Sequence, residues 1–246
     1  MDSKATSPTG RTATLIRQRI ERGGDRLWRL DDFRDLSFTA AAQALSRLAR
    51  QGAIERLSKG IYYRTRQTAF GKSRPNPAAI RKLATSRKNA FPSGIAAASH
   101  LGFTTQNPRR AELATTALSL PRKLVGEDAL IHTRRPEAWS RLTATDAAIL
   151  DFLRNGGKTG ELSAKETIER MRMLLSEPDR YERLLGAAHT EPPRVRAMLG
   201  AFGELLRRSD EELRRLRESL NPLSRFDFGI FAAMPTAKNW QAKGTR

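Results

Sequence analysis

The 246-residue sequence predicts an α+β protein, mostly helical, built in two parts. Three observations carry that expectation. The first 70 residues hold three helical patterns followed by a short basic hairpin. The run Gly71-Lys72-Ser73-Arg74-Pro75-Asn76-Pro77 reads as a linker, because two prolines and a glycine cannot continue a helix or a central strand. Beyond residue 136 the chain carries helix-start signals and apolar stripes at helical spacing. The division expected is a disordered tail over 1–11, a first domain over 12–70 and a C-terminal domain over 75–246. The latter is mixed over 75–135 and helical over 136–246.

The polar, small-residue stretch Met1 to Gly10 lacks apolar periodicity and reads as disordered. Thr12 to Glu21 reads as a first helix, with Ala13, Ile16 and Ile20 at helical spacing, and Gly23-Gly24 ends it. Asp31 to Leu36 reads as a short second helix, with Trp28, Leu30, Phe33 and Leu36 as core candidates. Ser37 can cap a third helix over Phe38 to Gln51, closed by Gly52. Residues 53–57 and 61–64 read as two short strands, with Ser58-Lys59-Gly60 as the turn between them.

The third helix holds the candidate site. At about 100° per residue, Phe38, Ala41, Leu45 and Leu48 share one stripe, whereas Thr39, Gln43, Ser46, Arg47 and Arg50 share the opposite one. No acidic residue lies between Ser37 and Ala53. A helix seated in a DNA major groove needs such a face, arginine meeting guanine or phosphate and glutamine meeting adenine. Three helices followed by a tight basic hairpin form the winged variant of the helix-turn-helix, whose wing touches the DNA backbone. The DNA-binding residues expected are therefore Ser37, Thr39, Gln43, Ser46, Arg47, Arg50, Lys59 and Arg64. The competing reading of Arg47 is an ion pair with Asp32 or Asp35.

The segment Ala44-Leu45-Ser46-Arg47-Leu48, then Gly52-Ala53-Ile54, then Arg56-Leu57-Ser58-Lys59-Gly60-Ile61-Tyr62-Tyr63 resembles the winged-helix domain of AbiEi-type antitoxins. The resemblance continues through Phe91-Pro92-Ser93-Gly94, Ala97 and Leu101-Gly102-Phe103-Thr104-Thr105-Gln106-Asn107-Pro108, covering roughly Thr12 to Leu118. It implies an antitoxin of an abortive-infection toxin–antitoxin system. Such a protein represses its own promoter and neutralises a co-encoded nucleotidyltransferase-like toxin, not always through a stable complex. The alternative from the residues alone is a stand-alone winged-helix regulator without a toxin partner.

In the second part, Pro77 to Arg87 and Ser93 to His100 read as short helices, and Ala111 to Leu118 and Ala129 to Thr133 as strands. Basic pairs at Arg81-Lys82, Arg87-Lys88, Arg109-Arg110, Arg122-Lys123 and Arg134-Arg135 read either as solubilising charge or, favoured by the +7 of this part, as a second DNA-backbone surface. Thr143 with Asp146, Ser163 with Glu166 and Ser209 with Glu212 resemble capping boxes. Pro178 and Pro192-Pro193 suit first helical turns. Leu199, Phe202 and Leu206, then Leu213, Leu216 and Leu220, read as core stripes, and Glu211 with Arg215 as a surface pair. Phe226, Phe228, Phe231 and Trp240 make the C-terminal stretch too aromatic for disorder. It docks on the protein itself or on a partner.

Charge and composition bound the function. The chain holds 45 Lys+Arg against 26 Asp+Glu, a net charge of +19. Residues 1–75 carry +9 of it, residues 76–135 carry +7 and the remainder only +3. A polyanion is therefore the expected partner, contacted through the first 135 residues. The absence of cysteine excludes disulfides, thiolate metal sites and cysteine nucleophiles. No secretory signal or membrane-spanning stretch is present, so the expectation is a cytoplasmic protein. Gly156-Gly157-Lys158-Thr159 lacks the first glycine of a phosphate-binding loop and reads as a helix-ending turn. His100, His132 and His189 are too scattered for a zinc motif. Asp146 and Asp151 lie about 140° apart around a helix and do not share a face. The sequence thus points to no enzyme, no metal and no cofactor.

Overall fold

The computed structural model describes residues 8–24, 26–64, 67–68, 71–72, 90–120 and 122–244. The protein is α+β, about half helical, with small sheets. It divides into two compact units, Met1–Ala84 with Pro121–Glu127, and Thr85–Leu120 with Asp128–Arg246.

In the first unit, α1 spans Pro8–Arg22 and buries Ile16 and Ile20, one turn apart on its inner face. It begins earlier than expected, which corrects the disordered tail: residues 8–11 are helical, and residues 1–7 lie outside the described residues. Proline suits this start, since its missing N–H would have no helical partner there. Gly24, at φ +71°, ends the helix. Gly23 answers a different need, because a Cβ there would stand 2.4 Å from the Trp28 ring.

Trp28 lies in a strand, β1 (Leu27–Arg29), that three residues are too few to announce by alternation. The expected second helix over Asp31 to Leu36 is instead a single 3-10 turn, Leu30–Phe33, started by Asp32 accepting the Arg29 backbone N–H at 2.8 Å. Helix α2 follows at Phe38–Arg50. Strands β2 (Glu55–Ser58) and β3 (Ile61–Tyr63) form a hairpin turned at Gly60, which has φ +72°. Strand β3 lies centrally, antiparallel to both neighbours, with Trp28 opposite Tyr62 and Arg56 opposite the same residue on the other side. Ile16, Ile20, Trp28, Phe33, Ala41, Ala44, Leu45, Leu48, Ile54 and Tyr62 close one core.

Two short strands, β4 (Gln67–Thr68) and β5 (Gly71–Lys72), pair antiparallel. The stretch read as a linker therefore begins with a strand, while residues 73–77 and the helix expected at 77–87 lie outside the described residues.

In the second unit, β6 (Ala90–Pro92), β7 (Glu112–Thr115) and β8 (Leu130–His132) form one sheet in that order, the first pair antiparallel and the second parallel. Helix α3 (Gly94–Leu101) leaves β6 directly. Helices α4 (Ala144–Arg154), α5 (Ala164–Leu175), α6 (Arg180–Ala188), α7 (Pro193–Leu205) and α8 (Asp210–Glu218) surround a single core. All three expected capping boxes are formed, at Thr143, Ser163 and Ser209. Pro193 occupies the first turn of α7. Pro178 does not open a helix, because Asp179 intervenes at φ +57° before α6 begins. Glu211 pairs with Arg214 at 2.6 Å rather than with Arg215.

The aromatic C-terminal stretch docks on its own unit. Phe228, Phe231 and Trp240 are buried, and Trp240 Nε1 donates to Glu204 at 2.8 Å. Among the described residues, no helix is long and apolar enough to cross a membrane.

Candidate nucleic-acid interface

Helix α2 is amphipathic because its apolar residues recur at helical spacing, and the core takes them from Ala41 onward. Ala41, Ala44, Leu45 and Leu48 are buried. Thr39, Gln43, Arg47 and Arg50 are exposed on the far side, and Ser46 is half-buried beside them. Phe38 does not join the packed stripe as expected. It is 71% exposed, since it sits in the first turn, beyond the reach of the core. Ser37 stands at the N-cap position, but its hydroxyl makes no capping hydrogen bond.

The basic residues of this unit separate into two kinds. Among the described residues, Arg47, Arg50 and Lys59 have no ion-pair partner, and all three are exposed. The two acids that competed for Arg47 are engaged elsewhere. Asp35 receives Arg19 through two contacts, at 2.7 and 2.5 Å, and the guanidinium holds its carboxyl below the usual range. Asp32 starts the 3-10 turn and lies 4.0 Å from Arg26. Arg64 is of the second kind: half-buried, it donates through Nη1 to the Glu21 carbonyl at 3.1 Å, tying the hairpin to the end of α1. Its expected DNA role is therefore weakened by a structural one. Arg19 and Arg26 are likewise engaged, the latter 3.9 Å over the Trp28 ring.

Arg56 is exposed on β2 and donates through Nε to the Ser58 carbonyl at 3.4 Å, within the hairpin. The outer face of α2 thus offers hydroxyl, amide and guanidinium groups, and Glu55 and Arg56 of β2 line one cleft with its Ser46 and Arg50.

Residues 16–131 match a family of unknown function (DUF6088). No curated protein matches the chain significantly. Among solved structures, the chain is similar to the crystal structure of the RV2827C protein from Mycobacterium tuberculosis. The two share 15% identity with a TM-score of 0.44, over 87% of this chain and 83% of that one.

The second unit uses several charges internally. Arg135, expected on a DNA-backbone surface, donates instead to buried Asp151 at 2.9 Å and faces the Trp139 ring. Burial and the neighbouring Arg154 charge pull its pKa down, against the pull of Asp151 and Glu191. Asp151 also accepts from Ser93 Oγ at 2.9 Å and from the Gly94 N–H at 2.8 Å, fastening the start of α3. Glu191 accepts from Trp139 Nε1 and Arg154 Nε, both at 2.7 Å. Asp146 accepts from Arg180 at 3.2 Å and Arg183 at 2.8 Å. Burial would raise its pKa, but hydrogen bonds from Arg183 and Thr143 outweigh that and hold it low.

Arg109, Arg110 and Arg134 are exposed, whereas the pairs at 81–82 and 87–88 lie outside the described residues. Gly156 and Gly157, at φ +61° and +75°, make the turn after α4 rather than a phosphate cradle. Among the described residues, no cluster of three or more histidines or carboxylates could hold a metal ion.

Proposed function

We propose that the first unit is a winged helix-turn-helix that binds double-stranded DNA, and that the protein represses its own promoter. The order helix, strand, short turn, helix, hairpin, with the first strand paired to the last, suits that reading. In it α2 enters the major groove and the β2–β3 hairpin is the wing. The observation that carries the reading is the outer face of α2, free of acids, with Arg47, Arg50 and the wing's Lys59 all unpaired among the described residues. Phosphate neutralisation by these groups gives salt-sensitive affinity, and Thr39 and Gln43 read base edges. The net charge of +19 favours encounter with DNA.

The second half of the proposal is that the protein is an antitoxin acting on a nucleotidyltransferase-like toxin. It is supported by the resemblance of residues 12–118 to AbiEi-type antitoxins. A stand-alone regulator is the alternative, and the adjacent reading frame separates the two.

Fluorescence anisotropy of the full chain tests the first half, on DNA from its own upstream region against a scrambled duplex at several salt concentrations. Preference for the native duplex at physiological salt is expected. Equal binding that collapses with salt would leave only a non-specific footprint and refute the repressor reading. Co-expression with the neighbouring nucleotidyltransferase-like protein, with growth as the readout, tests the second half.

A further inference from the structure

Among the described residues of the first unit two large apolar side chains are exposed, Leu15 and, more fully, Phe38. Phe38 is 71% exposed, while Ile16, Phe33, Ala41, Ala44 and Leu45 behind it are at most 1% exposed. It opens α2, between Ser37 and Thr39, whose side chains are also exposed. Side chains on a helix lean toward its N-terminus, so the ring extends past the end of α2 rather than back onto the core. Ala42, one turn further on, is small and only half-buried, which continues an apolar strip beside the polar face of Thr39, Gln43 and Ser46. The N-terminal residues of a groove-seated helix are the ones that meet base edges. In the major groove one base edge alone is apolar, the 5-methyl group of thymine.

We infer that Phe38 is a specificity-determining residue that packs on a thymine methyl in the major groove, selecting A·T at one position of the binding site. This rests on the DNA-binding reading above. Thr39 and Gln43 supply hydrogen bonds to neighbouring bases, and Phe38 supplies the apolar contact that a purely polar face lacks. Burying a single methyl group is worth about fourfold in affinity.

The test begins by selecting preferred duplexes from a randomised pool with the full-length protein. Each thymine of the selected site is then replaced in turn by deoxyuridine, which removes only the methyl group. The wild-type protein is expected to lose about fourfold at one position. Phe38→Ala should bind the thymine and deoxyuridine duplexes equally there, whereas Phe38→Leu should retain part of the difference. Because Phe38 lies outside the core, both variants should keep the wild-type unfolding midpoint.

If a selected site emerges but no deoxyuridine position matters, or Phe38→Ala keeps the full methyl effect, the inference fails while the DNA-binding reading stands. A change of oligomeric state in Phe38→Ala by sedimentation, with base preference unaltered, would make Phe38 a contact between copies and overturn it as well. If no sequence is selected at all, the DNA-reading proposal falls and this inference with it.

Discussion

Replacing Arg47, Arg50 and Lys59 together by alanine should flatten the salt dependence of DNA binding by an amount that the structure sets. All three are exposed and unpaired among the described residues, so each has a full charge available for a phosphate. Each phosphate contact contributes a slope of about 0.9 in log affinity against log salt. Three contacts make about 2.7, which between roughly 50 and 200 mM salt amounts to about forty-fold in affinity. The triple variant should therefore lose that much less affinity than wild type across the same interval, besides binding more weakly at low salt. Anisotropy titrations at four or five potassium chloride concentrations read the slope directly. Arg19→Ala is the matched control. It removes one charge from the same unit, but that charge is engaged with Asp35, so its slope should stay near wild type rather than fall by the about 0.9 of one phosphate contact. An unchanged slope in the triple variant, or a drop of about 0.9 in the control, would refute the argument that the free cations make the interface.

Three further outcomes follow from the same structure. Gln43→Ala should relax base preference at one position by about 1–3 kcal/mol while leaving the salt slope unchanged, as read by affinities for single-base variants of the site. Asp146→Ala should cost about 1–3 kcal/mol in urea unfolding, because it removes the buried carboxylate shared by Arg183 and Arg180, leaving Arg180 only Glu177 at 2.6 Å, and breaks the Thr143 capping box. The Asp146 carboxyl is held below its ordinary 3.8 in the folded state. Its stabilising effect is therefore present above that value and lost as pH falls through the depressed one, so the variant should show a flatter acid limb of Tm against pH. Gly200→Ala would put a Cβ 2.1–2.4 Å from three carbons of the Trp240 ring. Overpacking of that kind costs about 1–3 kcal/mol, and it should displace Trp240 enough to red-shift tryptophan emission.

Helix α2 was legible in the sequence because its signal is local and periodic: Ala41, Leu45 and Leu48 recur at 3.6-residue spacing, and Gly52 stops the helix. The hairpin was legible because Gly60 sits between two short β-prone runs. The three capping boxes were legible for the same reason, each lying within four residues of chain. Strand β1 was not, since three residues cannot show alternation and its existence depends on pairing with Tyr62 and Tyr63, more than thirty residues later. Phe38 was misread because a helical wheel records angle but not how far along the axis a core extends.

The free and engaged charges were the larger omission. Arg47 and Arg64 look alike in sequence, yet one projects unpaired and the other caps the Glu21 carbonyl at the end of α1. Arg135 reads as part of a basic surface, yet it lies against Asp151, sixteen residues away in sequence and on another element. The open question of the aromatic C-terminal stretch was answered by a contact of the same long-range kind, Trp240 lying over Gly200. Composition and periodicity by themselves determined the total charge, the amphipathic helix α2 and the three capping boxes, because those depend on neighbours along the chain. Which cations remain available to a partner, and which aromatic rings are buried, only the tertiary structure decided. A charge is neutralised, or a ring covered, by whatever the fold brings within a few ångströms, and that partner is rarely close in sequence.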